Sequence, residues 1–145
     1  MRVAIIIAVI LLGLVWSCSS NGARAEGAAV LGVGLGGIGP GGYVLHLATN
    51  KATKKDAEMA AFGPCHQSRS PEARNCRIIA TFSKRCFAAA GDVESGQPGF
   101  GWAVENTVAA ARKSALEKCK KTAREGREQF CVVEANGCDR GAPWW

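Results

Sequence analysis

Thr53-Lys54-Lys55-Asp56-Ala57-Glu58-Met59-Ala60-Ala61-Phe62-Gly63-Pro64-Cys65 returns fifty-four residues later as Thr107-Val108-Ala109-Ala110-Ala111-Arg112-Lys113-Ser114-Ala115-Leu116-Glu117-Lys118-Cys119. In the first segment Thr53, Ala57, Ala61 and Cys65 recur every fourth residue. Thr107, Ala111, Ala115 and Cys119 keep the same register in the second. That spacing puts the alanines and the cysteine on one face of a helix. Each Thr suits an N-cap, and Asp56, three residues after Thr53, resembles a capping box. An alanine face lets a helix lie close to a sheet, because little side chain holds it off. Gly63-Pro64 is expected to end the first helix just before Cys65. The second is expected to run to about Arg124, before Gly126.

The surroundings of the two helices repeat as well. A cysteine opens an apolar run after each one: Cys76-Arg77-Ile78-Ile79-Ala80 and Cys131-Val132-Val133-Glu134-Ala135. A third cysteine, Cys86 or Cys138, closes each copy. A short apolar stretch precedes each helix, at residues 43–48 and 100–104. The β-branched runs at 76–82 and 131–135 read as strands, and 87–90 as another short one. Each copy, 43–90 and 100–140, is therefore strand–helix–strand with a further strand or loop. Together they predict an α+β domain over residues 43–142, with one sheet and two helices on one of its faces.

The chain has seven cysteines. Cys18 lies before the expected export cut and is either discarded or blocked by lipid, which leaves Cys65, Cys76, Cys86, Cys119, Cys131 and Cys138. An even set in an exported domain implies three disulfides. Their spacings are eleven, ten, thirty-three, twelve and seven, without the close pairs that a zinc site uses. Six cysteines allow fifteen connectivities. The pseudo-symmetry favours Cys65–Cys76, Cys119–Cys131, and a Cys86–Cys138 bridge joining the halves. Each short loop would contribute roughly 2–4 kcal/mol.

Gly101-Trp102-Ala103, the Ala111–Ala115–Cys119 face, Cys131-Val132-Val133 and Cys86-Phe87-Ala88 together resemble a bacterial exported family, domain of unknown function 4189. The resemblance covers about residues 43–142. The first copy departs from it, with Tyr43-Val44-Leu45-His46 where a Trp-containing segment is expected. The resemblance implies export and disulfides, and supplies no activity, cofactor or catalytic residue.

The N-terminus agrees with export. Met1-Arg2 is a minimal positive region, and residues 3–15 are an uncharged apolar run, too short to span a bilayer comfortably. Ala23-Arg24-Ala25 is the A-x-A pattern of a signal peptide, which places the cut between Ala25 and Glu26. The alternative is a lipobox, Leu14-Val15-Trp16-Ser17-Cys18, in which Cys18 is acylated and the protein is lipid-anchored at the envelope. Trp16 fits that pattern poorly. Residues 26–42 are glycine-rich and are expected to form a flexible linker. Gly32-Val33-Gly34-Leu35-Gly36-Gly37 matches G-x-G-x-x-G, but Pro40-Gly41-Gly42 follows where a dinucleotide site needs a helix. No cofactor is expected.

The formal charge of +6 falls to +4 once Arg2 and Arg24 are removed, leaving sixteen bases against twelve acids. That balance suits weak attraction to anionic walls or surfaces. The bases are dispersed, without the dense basic stripe and interleaved aromatics of a nucleic-acid binder. Lys118, Lys120, Lys121, Arg124 and Arg127 read as a solvated helix face. His46 and His66 are the two histidines, and nothing in the sequence joins either to Ser68, Ser83 or Asp92 as a triad requires. The acids occur singly. Trp102 and the terminal Trp144-Trp145 are candidate partner contacts. The expectation is an exported, disulfide-stabilised, non-enzymatic module that binds a protein or envelope polymer. A small exported hydrolase is the alternative. A cationic membrane- or wall-associated protein, touching lipid through its glycine and Trp segments, is a third reading.

Overall fold

A computed structural model of the chain describes residues 26–35, 42–68, 75–94 and 98–139. Both helices stand where the four-residue spacing puts them. Helix α1 (Lys54–Gln67) begins behind Thr53, whose Oγ1 accepts the Asp56 N–H at 3.1 Å and donates to the Asp56 carboxylate at 2.7 Å. Helix α2 (Val108–Thr122) begins behind Thr107, whose Oγ1 accepts the Ala110 N–H at 3.2 Å. The buried residues are Ala57, Ala61 and Cys65 on α1, and Ala111, Ala115 and Cys119 on α2.

The end of α1 departs from expectation. The helix runs through Gly63-Pro64 to Gln67. Pro64 forfeits one main-chain hydrogen bond, but Cys65 is fully buried and bonded to Cys76. Packing and the covalent tie hold a last turn that local propensity would release.

The strands are β1 (Glu26–Val33), β2 (Tyr43–Lys51), β3 (Cys76–Ser83), β4 (Cys86–Asp92), β5 (Phe100–Glu105) and β6 (Cys131–Cys138). They form two three-stranded antiparallel sheets, ordered β2-β1-β3 and β5-β4-β6, rather than the single sheet expected. The class is α+β, and the repeated unit is strand, strand, helix, strand. Its two copies are β1-β2-α1-β3 and β4-β5-α2-β6. Even the irregularities correspond: the ladder slips between Ala29 and Val30 against β3, and between Ala89 and Ala90 against β6.

This register moves two boundaries. Glu26–Val33, expected as the start of a flexible linker, is the central strand of the first sheet, and Ala28 to Leu31 are buried. Cys86, expected to close the first copy, opens the central strand of the second. A strand buried on both faces shows no polar alternation. When a helix lies on one face and a sheet on the other, small residues fill it. Ala28-Ala29-Val30-Leu31 and Ala88-Ala89-Ala90-Gly91 are two versions of that solution.

The layers run helix, sheet, sheet, helix. On one outer face Ala28, Val30 and Ala48 meet Ala57, Ala61 and Cys65; on the other Ala88 and Ala90 meet Ala111, Ala115 and Cys119. Between the sheets lies the third core, with Ala29, Leu31, Phe82, Phe87, Ala89 and Phe100 at its centre. Phe87 is fully buried, with ring centroids 5.9 Å from Phe82 and 6.3 Å from Trp102. Burying a side chain of that kind contributes about 1.5–3 kcal/mol.

The disulfides are Cys65–Cys76, Cys119–Cys131 and Cys86–Cys138, the pairs that the pseudo-symmetry favours. The first two tie each helix to its own third strand. The last joins β4 to β6, directly opposite each other in one sheet, so it does not join the halves. Among the described residues, no disulfide connects the two units.

Candidate functional site

The family-like segment Gly101-Trp102-Ala103 lies on β5, under α2. A Cβ on Gly101 would collide with main-chain atoms of Ala115 and Cys119, so glycine is what lets the helix settle onto the strand. Thr122 fixes the last turn: its Oγ1 accepts the Phe100 N–H at 2.8 Å and lies 2.8 Å from the Phe100 carbonyl. These contacts leave a cleft of about 410 Å³ between β5 and α2, lined by Phe100, Gly101, Trp102, Lys118, Lys121 and Thr122.

The chemistry of that cleft is cationic and aromatic. Lys118 Nζ sits 5.5 Å from the Trp102 ring centroid and donates to the Trp102 carbonyl at 2.9 Å. The indole is half-buried, with its inner side toward Phe87. Lys121 is exposed at the cleft. Along the same helix Arg112, Lys113, Lys118, Lys120 and Lys121 are exposed, with Glu117 as the one acid of α2. A face of this kind attracts anions, and an aromatic wall beside lysines accepts a ring or an acyl surface while the ammonium groups take its charge.

A second concavity, about 400 Å³, lies over α1 and β3, lined by Glu58, Met59, Phe62, Gly63 and Ile78. It is almost wholly apolar and offers Glu58 as its one charged group.

The other candidates fall elsewhere. His66 lies against Phe62 at the end of α1, the rings tilted by 57° with centroids 4.6 Å apart, and His46 lies on β2 with its Nε2 buried and without a hydrogen-bond partner. Asp92 serves neither. It is buried, and its carboxylate takes both Nε and Nη2 of Arg127 at 2.7 Å, while Arg127 Nη1 reaches Glu94 at 2.5 Å. The Arg127 hydrogen bonds hold the Asp92 carboxyl below the usual carboxylate range. Among the described residues no three His, Cys, Asp or Glu side chains are grouped to hold a metal, and no helix is long and apolar enough to cross a membrane. Ala25, Cys18, Trp144 and Trp145 lie outside the described residues.

Among the described residues two side-chain contacts join the units, and neither is legible in the local sequence. The Tyr43 hydroxyl donates to Glu134 at 2.5 Å across the sandwich, and burial together with that carboxylate pushes the phenol far above its ordinary range. The Asn50 N–H donates to Asp139 Oδ1 at 3.2 Å. Nothing in either local sequence marks them, because their partners lie about ninety residues away.

A family model described as Domain of unknown function (DUF4189) matches residues 36–138 of this chain. No curated protein and no solved structure matches it. The three disulfides point to an oxidising, extracytoplasmic compartment.

Proposed function

We propose that this chain, which belongs to the DUF4189 family, is an exported, non-enzymatic module that binds an anionic envelope polymer on its α2 face. The observation that carries the reading is the cleft where Lys118 and Lys121 flank Trp102 on the basic side of a cross-linked sandwich. The rigid scaffold suits a binding role, because little ordering entropy remains to be lost when the ligand arrives. Export by cleavage before Glu26 belongs to the same proposal, with acylation of Cys18 as the competing outcome.

Co-sedimentation of the oxidised, exported protein with purified lipopolysaccharide, teichoic acid and neutral glycan, over a series of salt concentrations, tests it. The reading expects retention by an anionic polymer that weakens as salt rises. It further expects the double variant Lys118→Glu/Lys121→Glu to lose at least tenfold in affinity while keeping its melting temperature within a few degrees. Equal binding by the double variant, or retention by the neutral glycan alone, overturns the assignment.

A further inference from the structure

Asp139 is 1% exposed, and its Oδ2 has no hydrogen-bond partner. A buried carboxylate oxygen left unpaired is costly, so this position asks for a donor. Where the residue sits suggests which one. The Asp139 N–H donates to the Arg85 carbonyl at 3.0 Å, and Oδ1 accepts the Asn50 N–H at 3.2 Å. Asn50 precedes Lys51, and Arg85 follows Ser83 by two residues. Lys51 and Ser83 are the two register partners of Glu26, one on each side. Asp139 therefore lies at the end of the sandwich where β1 begins, close enough that the Glu26 charge reinforces the rise that burial gives its pKa. Among the described residues, the other charged groups of the segments meeting there, Lys51, Lys84 and Arg85, are exposed, and none forms an ion pair with Asp139.

We infer that Asp139 is the seat for the chain's own N-terminus: the α-ammonium of Glu26, freed when the leader is removed, pairs with the buried carboxylate and fastens the first unit to the second. The inference rests on the export cut proposed above. Hydrolysis of the Ala25–Glu26 amide adds one water; the carboxylate departs with Ala25, and the Glu26 nitrogen takes up a proton to become an ammonium. Before the cut that nitrogen is a neutral amide with a single hydrogen. Afterwards it is a cation with three donors, at the end of the sandwich where Asp139 Oδ2 lacks a partner. Removal of the leader thus completes the fold as well as releasing the protein. At this position the first unit has Glu26 and Ser83 in register, where the second unit has the bonded pair Cys86 and Cys138.

The experiment uses the exported protein. Intact mass first identifies the N-terminal residue. Reductive ¹³C-methylation then lets NMR follow the α-amine separately from the lysines through a pH titration. An unperturbed α-amine titrates near ~8. The inference expects a midpoint raised by about one unit or more in the wild type, returning to the ordinary value in Asp139→Asn. A chain carrying one extra alanine before Glu26 moves the amine outward by about 3.5 Å and is expected to lose the shift as well, so a poorly folding Asp139→Asn leaves a second measurement. A mature N-terminus other than Glu26 overturns the export cut. An N-terminus at Glu26 whose amine titrates alike in wild type and variants overturns the pairing alone.

Discussion

The two units share topology, caps and even the position of a slipped ladder pair, yet they are held and charged differently. The first has one disulfide and the second has two. The first uses Val30 and Leu31 in its central strand where the second uses Ala90 and Gly91. On α1, Lys54 and Lys55 are balanced by Asp56 and Glu58, with Lys54 Nζ 3.7 Å from Glu58. On α2, Arg112, Lys113, Lys118, Lys120 and Lys121 stand against Glu117 alone. One topology occurs twice, and the second copy carries the more basic helix surface. The helix faces toward the sheets stay the same because close packing against a sheet admits alanine and little else. The outer faces were free to diverge.

The largest effect should come from the one core that both units share. Phe87→Ala removes a ring wedged between Phe82 and Trp102 and should destabilise the protein by up to about 5 kcal/mol, read by denaturant unfolding. If it instead costs no more than a single disulfide, the sheets are not held by this core. Next are the bridges. Replacing Cys86 and Cys138 together by Ser opens a loop of sequence separation 52 and should cost about 4 kcal/mol, against about 3 for the Cys65/Cys76 pair of separation 11. Both losses should appear as one cooperative transition. A separate melting of the halves in the Cys86/Cys138 variant would mean that this bridge does couple the units. That would contradict its place inside the second sheet.

The smallest effect concerns the Asp92–Arg127 pair of the second unit. Its carboxyl is held low by the guanidinium, so the contribution is complete above the unfolded carboxylate value near ~4 and is lost as the pH falls through the lower folded value. Thermal melts of wild type and Arg127→Gln should therefore differ at neutral pH and converge as the pH falls through the lowered Asp92 value. A gap that stays constant to the lowest pH would show that Arg127 acts by packing on Phe130, 4.5 Å from its guanidinium carbon, rather than by charge.

Much of the architecture was legible because its signals are local. Alanine every fourth residue marks a helix face, and a threonine before it marks the start. Cys76-Arg77-Ile78-Ile79 and Cys131-Val132-Val133 have the β-branched content of strands. The candidate site was half legible. Trp102 stands out in the sequence by residue type, whereas Lys118 and Lys121 read as ordinary solvated bases, because it takes β5 folded under α2 to bring an indole beside them. The strand at Glu26–Val33 was missed because glycine and alanine runs are depleted in strands by intrinsic preference. The offset of sixty between Ala28-Ala29 and Ala88-Ala89 was the one clue.

The sequence by itself determined where the two helices start, their N-caps and the six paired cysteines, since each depends on periodicity or on the count and symmetry of one residue type. Only the tertiary structure decided that the duplicated units form two sheets packed face to face, that Cys86 belongs to the second, and that Asp139 is buried beside the start of β1. Those outcomes depend on which distant surfaces exclude water together, and no local pattern specifies the partner of a buried face.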